Sequence, residues 1–133
     1  MKNKKYIDRL RAIYFKLNKE RESYDDQNVM NYPNNDILNL LDGLLTNEFN
    51  SSWKRGNNSY SSTITVEENG VKQTITRRKG GLKRKTIYKE LAFNDDSTLT
   101  FTQYTGKQMS DLVVKEISKS NGIKVIKQTN NFI

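Results

Sequence analysis

Ser62-Thr63-Ile64-Thr65-Val66-Glu67-Glu68-Asn69-Gly70-Val71-Lys72-Gln73-Thr74-Ile75-Thr76-Arg77 alternates polar and apolar side chains on both sides of Asn69-Gly70. A period of two marks strands with one buried face, and Asn-Gly is the strongest short hairpin signal, because a type I′ turn needs φ > 0 at both central positions. Pairing Glu68 with Val71 sets Ile64 opposite Ile75 on one face. Thr63 then meets Thr76, Thr65 meets Thr74 and Glu67 meets Lys72 on the other. The expected hairpin thus has an apolar inside and a threonine ladder outside that ends in an ion pair.

The same period continues downstream. Residues 85–93 place Ile87, Leu91 and Phe93 on one side and Thr86, Tyr88 and Glu90 on the other. Asn94-Asp95-Asp96-Ser97 turns the chain, and Leu99 and Phe101 resume the apolar side against Thr98, Thr100, Thr102 and Tyr104. A five-residue loop would set Leu91 opposite Phe101 and Tyr88 opposite Tyr104. Lys89 falls on the core side, where it would reach water only by snorkelling at a sheet edge. Residues 111–120 admit two readings. Val113, Val114 and Ile117 suit a strand paired with 123–128 across Asn121-Gly122. The helical spacing of Met109, Leu112, Val113 and Ile117, a start at Ser110-Asp111 and a left-handed cap at Asn121-Gly122 favour a helix over 110–120, with 123–128 as a final strand.

Upstream the period is that of a helix. Tyr6, Ile7, Leu10, Ile13, Tyr14 and Leu17 recur at spacings of three and four, predicting a helix from Tyr6 to Ser23. A polar connector from Asp25 to Asn35 holds the only proline, Pro33. A second helix is expected from Asp36 to Glu48, with Asn35 as N-cap and an apolar set of Ile37, Leu38, Leu40, Leu41, Leu44, Leu45 and Phe49. Residues 50–62, rich in Asn and Ser, read as a loop. The expected order is ααββββαβ, an α+β fold in one domain spanning 1–133. A helical hairpin (residues 1–49) would pack on a mainly antiparallel sheet of five strands within 60–133, or six if 111–120 joins it.

Composition excludes whole classes of chemistry. With neither Cys nor His there is no disulfide, no thiol nucleophile and no thiolate or imidazole ligand for zinc, so no metal or cofactor is expected. Met1-Lys2-Asn3-Lys4-Lys5 resembles a basic leader, but Asp8, Arg9 and Arg11 interrupt any apolar segment after it. No run approaches the roughly 20 apolar residues that span a bilayer. The expectation is a cytoplasmic protein with no membrane partner.

Charge supplies the pointer to function. The chain carries 23 Lys and Arg against 15 Asp and Glu, a net charge of +8. Between Asn69 and Lys89 lie eight cations and no carboxylate, so this segment alone accounts for the excess. Its densest part, Arg77-Arg78-Lys79-Gly80-Gly81-Leu82-Lys83-Arg84-Lys85, is read as a connector joining the two hairpins. Such a run can be solvated surface around a glycine turn. It also suits phosphate binding: guanidinium forks match phosphate oxygens, and paired glycines let the backbone approach closely. Tyr88 and Tyr104, side by side among threonines, would be stacking platforms for bases, with Tyr60 and Trp53 extending the surface. Each aromatic can equally belong to a half-buried sheet face. The candidate nucleic-acid-binding set is therefore Arg77, Arg78, Lys79, Lys83, Arg84, Lys85, Tyr88 and Tyr104.

Enzymatic readings have little to build on. Asp95-Asp96 and Glu67-Glu68 sit at turns, and Gly80-Gly81 is neither a P-loop nor a dinucleotide fingerprint. Two helices followed by an antiparallel sheet is similar to part of the fold of RelE-type ribonuclease toxins, which implies Arg77, Arg84, Tyr88 and Tyr104 as candidates; the leading strand of that fold is missing here. Four strands followed by a helix is similar, in element order alone, to Whirly and Pur-type single-strand-binding modules. The Asn-, Lys- and Ile-rich composition also suits phage or mobile-element proteins, including anti-CRISPR-like or other counter-defence inhibitors. Such a protein would dock its basic segment on a nucleoprotein enzyme. The expected partner is nucleic acid, RNA or DNA, or such an enzyme.

Overall fold

A computed structural model describes residues 2–25 and 27–129, with side chains from Tyr6 onward; Met1, Asp26 and residues 130–133 lie outside the description, Met1 of the leader-like stretch among them. The chain divides into two compact units, residues 1–47 and 48–133.

In the first unit, helix α1 (Lys2–Arg21) and helix α2 (Asn35–Leu45) are the two expected helices. Leu10, Ile13 and Leu17 of the α1 stripe are buried, as are Ile37, Leu38, Leu40, Leu41 and Leu44 of α2. Removing side chains of this size from water stabilises by roughly 1.5–3 kcal/mol each. The helices pack on one another, and Tyr14 Oη donates to Asp42 Oδ1 at 2.7 Å. In the connector, Tyr32 is buried, its hydroxyl donating to Glu20 Oε2 at 2.7 Å. Burial, and then that carboxylate, push its phenol pKa above the ordinary tyrosine value. α2 begins one residue earlier than expected, with Asn34 rather than Asn35 at the cap, and stops at Leu45, short of Glu48. Asn35 is drawn into the first turn, and its side-chain amide donates to the Val29 carbonyl at 2.7 Å.

The second unit is one antiparallel sheet of seven strands among the described residues. These are β1 (Asn50–Arg55), β2 (Asn58–Glu67), β3 (Gly70–Lys79), β4 (Leu82–Phe93), β5 (Leu99–Thr105), β6 (Ser110–Ile117) and β7 (Ile123–Gln128). Each pairs with its neighbour in sequence, so the sheet is a meander from β1 to β7. The fold is α+β, but among the described residues it has seven strands in place of five or six and no helix after the fourth. The element-order likeness to Whirly and Pur-type modules, which needs that helix, is therefore lost.

Two segments account for the difference. Residues 50–55, read as loop, form β1, and β2 begins at Asn58. Both faces there are polar, so alternation left no trace apart from Trp53 and Tyr60. Residues 110–117 form β6 and not a helix. Val113, Lys115 and Ile117 share the core-side face, with Lys115 and Ile117 at 5% and 0% exposure. A lysine in a core slot hid the period of two, whereas the β-branched residues around it favour a strand.

The first hairpin also corrects its register. Glu67 pairs with Gly70, Val66 with Val71 and Ile64 with Gln73, two residues displaced from the expected pairing. The turn is Glu68-Asn69, neither with positive φ. Gly70 is instead a strand residue pressed against β4, where a Cβ would lie 2.4 Å from the Leu91 carbonyl oxygen. Its glycine serves close backbone approach, not turn geometry. A shift of two preserves the faces, so Ile64 still points inward. The second hairpin has the expected register, Leu91 opposite Phe101 and Tyr88 opposite Tyr104.

One face of the sheet holds the buried set Ile64, Val71, Leu91, Leu99, Phe101 and Ile117. Gln73 and Lys89 are cross-strand partners on that face, both buried, and Gln73 Nε2 donates to Ser62 Oγ at 2.9 Å. Lys89 does not snorkel at an edge, because β4 is the middle strand of the seven. No helix among the described residues is long and apolar enough to cross a membrane.

Candidate nucleic-acid interface

The basic run is not a loop between hairpins. β3 continues to Lys79 and β4 begins at Leu82, leaving Gly80-Gly81 as a two-residue turn with φ of 59° and 80°. Positive φ at both glycines reverses the chain at once, so the flanking cations become ladder residues of a third hairpin. Arg77 pairs with Lys85, Arg78 with Lys83 and Lys79 with Leu82. Arg84 is left between the paired positions at a bulge, which re-aims its side chain.

This tip outruns the strands on one side of it. β5 pairs with β4 only as far as Ile87 and Thr105, and the Gly106 amide closes onto the Thr86 carbonyl at 2.9 Å. On the other side β2 follows β3 out to Asn58 and Lys79, and β1 follows β2 to Arg55 and Asn58. The projecting end is therefore built by four strands. It gathers Lys54 and Arg55 with Arg77, Arg78, Lys79, Lys83, Arg84 and Lys85. Neither residues 50–65 nor residues 69–89 contain a carboxylate. Seven of these eight cations are exposed, and Arg77 is half-buried. Glu67, Glu68, Asp95 and Asp96 sit at or beside the turns of the opposite end, so strands β1 to β4 are polarised along their length, while Asp111 at the start of β6 lies at the basic end two strands beyond β4.

Alternation separates the two faces of the tip. On the face that carries Ile64, Trp53, Tyr60, Arg77 and Lys85 form one row across β1 to β4. The Trp53 and Tyr60 rings are stacked, with centroids 5.4 Å apart and planes at 4°. An open concavity of about 640 Å³ is bounded there by Asn58, Arg77, Lys79, Gly80, Leu82 and Arg84. Arg77 Nε is buried with no hydrogen-bond partner among the described residues. A second concavity of about 450 Å³ is lined by Ser52, Ser59, Ser61, Thr76, Lys54 and Arg78 of the other face, and Trp53 and Tyr60 border it as well.

The eight residues singled out from sequence therefore do not form one site. Tyr88 and Tyr104 are stacked, with centroids 5.2 Å apart and planes at 28°, but both are half-buried on the face opposite Arg77 and Lys85. They share a face with the Arg78–Lys83 pair only. Of the residues implied by the ribonuclease likeness, Arg77 and Arg84 border one concavity while Tyr88 and Tyr104 lie on the reverse side. Lys72 is apart from the tip and pairs with Glu67, Nζ to Oε1 3.4 Å.

Lys54 and Arg55 were missed because their strand was missed. The usable signal was symmetry: Trp53 and Tyr60 stand equally far from Gly56-Asn57, and Gly56 has a φ of 59°. No family model matches the chain, and no match is found among curated proteins or solved structures.

Proposed function

We propose that the β1–β4 end of the sheet binds the phosphate backbone of a nucleic acid. The observation that carries this reading is the gathering of eight cations at the tip of strands β1 to β4, whose segments 50–65 and 69–89 hold no carboxylate. Solubility needs no such arrangement, since interspersed signs serve it without self-repulsion. Cations placed opposite cations destabilise the hairpin unless an anion lies between or above them. Four of the eight are arginines, whose planar forks suit phosphate oxygens. Concavities on both faces of the tip give a backbone two surfaces to follow.

The test is an electrophoretic mobility-shift titration at stepped salt concentrations. Affinity should fall steeply with salt. Changing Arg77, Arg78, Arg84 and Lys85 to Ala should flatten the slope of log K against log salt by about 3, at roughly 0.7–0.9 per phosphate contact. Absence of binding near physiological salt, or a slope untouched by the four substitutions, rejects the reading.

A further inference from the structure

We infer that the bound nucleic acid is single-stranded and that Trp53 stacks on one of its bases. This rests on the phosphate-binding reading of the tip and adds the class of ligand. A duplex hides the faces of its bases, whereas a single strand offers every base as a π surface, which aromatic side chains beside a cationic groove accept without regard to sequence.

Position decides which aromatic serves. Tyr88 and Tyr104 lie within the sheet, flanked by β3 and β6, and each ring is half-buried against the other. Trp53 lies on β1, an edge strand with no further strand beyond it among the described residues. Tyr60 covers one face of its indole in near-parallel alignment, yet Trp53 remains 38% exposed. A base placed outside the indole continues a stack that has already begun. Preformed stacking of this kind avoids the ordering cost that a free tryptophan would meet on binding.

The row inward from Trp53 supplies the rest. Tyr60 is followed by Arg77 on β3 and Lys85 on β4, so aromatic surface gives way to cationic surface over about 14 Å, three inter-strand spacings. Arg84 and Lys79 border the concavity beside that row. A strand crossing the sheet at this end thus meets a base platform at the edge and phosphate ligands further in.

Trp53 is the only tryptophan in the chain, so its fluorescence reports on this site alone. The full-length protein is titrated at fixed low salt with a 15-nucleotide oligo-dT, a 15-nucleotide oligo-U and a 15-base-pair DNA duplex. The expected result is quenching by oligo-dT, oligo-U or both, affinity for that single strand above that for duplex, and loss of about tenfold in single-strand affinity in Trp53→Ala. Trp53→Phe should retain most of it. The two oligonucleotides distinguish DNA from RNA as the source of the strand. Binding without quenching, or equal affinity for duplex and single strand, overturns the inference and leaves the phosphate reading standing. Failure to bind any of the three overturns both.

Discussion

Arg77 and Lys85 are direct cross-strand partners at the tip of the β3–β4 hairpin, and Arg78 and Lys83 repeat the arrangement on the other face. Like charges directly opposite destabilise an antiparallel pair, and opposite charges stabilise it by roughly 0.2–1 kcal/mol. Lys85→Glu should therefore raise the melting temperature by a degree or more while weakening nucleic-acid binding. Thermal unfolding and the mobility shift, run on the same preparation, check the two halves. A variant that is less stable, or that binds as tightly as the wild type, contradicts the account of the tip.

Two glycines should fail in different ways. A Cβ at Gly70 meets the Leu91 carbonyl oxygen at 2.4 Å and other β4 backbone atoms at 3.3 Å, and a ladder cannot yield there without losing hydrogen bonds. Gly70→Ala should cost about 2–4 kcal/mol. Gly81 has open space around it, and its φ of 80° is the sole obstacle. Gly81→Ala should cost about 1–2 kcal/mol. Urea midpoints at constant m-value separate the two, and equal losses would contradict the close-approach role of Gly70.

Lys72 offers a control for the charge reading. Its ammonium lies 3.4 Å from Glu67 Oε1, with both side chains about half exposed. An exposed pair of this kind contributes about 0–1 kcal/mol. Lys72→Ala should leave stability within that range and change nucleic-acid affinity less than twofold. A loss as large as that from Arg84→Ala would show that total charge, and not the tip, governs binding.

Asp96 gives the β4–β5 loop a pH signature. Its Oδ1 accepts from the Thr98 hydroxyl at 2.5 Å and from the Thr98 amide at 3.0 Å. These bonds, the hydroxyl first, hold its carboxyl below the usual aspartate range. A depressed folded-state pKa means stabilisation that is fully present above the ordinary carboxylate value and lost below it, as pH falls on through the lowered folded-state value. The difference in melting temperature between wild type and Asp96→Ala should therefore shrink between pH 6 and pH 3. A difference that grows on acidification would reverse the sign and reject the assignment.

What the sequence made legible depended on whether each face had a distinct environment. The stripes of α1 and α2 and the alternation around Leu91 and Phe101 each set apolar against polar, and the Tyr88–Tyr104 register followed from loop length alone. β1 is polar on both faces apart from Trp53, so only the symmetry of Trp53 and Tyr60 about Gly56-Asn57 announced it. β6 carries Lys115 in a core slot, and the remaining Met109, Leu112, Val113 and Ile117 matched a helical spacing by accident. Asn69-Gly70 was informative in kind and misleading in detail. The charge island was visible as a number, but its geometry depended on Gly80-Gly81 closing a hairpin, which converted a supposed connector into strands and divided its cations between two faces. Trp53, the residue proposed to stack on a base, lay in the segment read as loop.

Strict succession from β1 to β7 has a kinetic corollary. Every ladder joins segments adjacent in the chain, so no pairing waits for distant parts to meet, and the loop-closure entropy that slows sandwiches and Greek keys is small at each step. The sheet can begin at any one turn and lengthen outward in both directions, hairpin by hairpin. Whichever turn comes first, β1 and β7 each close on a single neighbour among the described strands, so Trp53 stands on a strand held from one side only, and a ligand seated on that edge would help to lock the ladder shut.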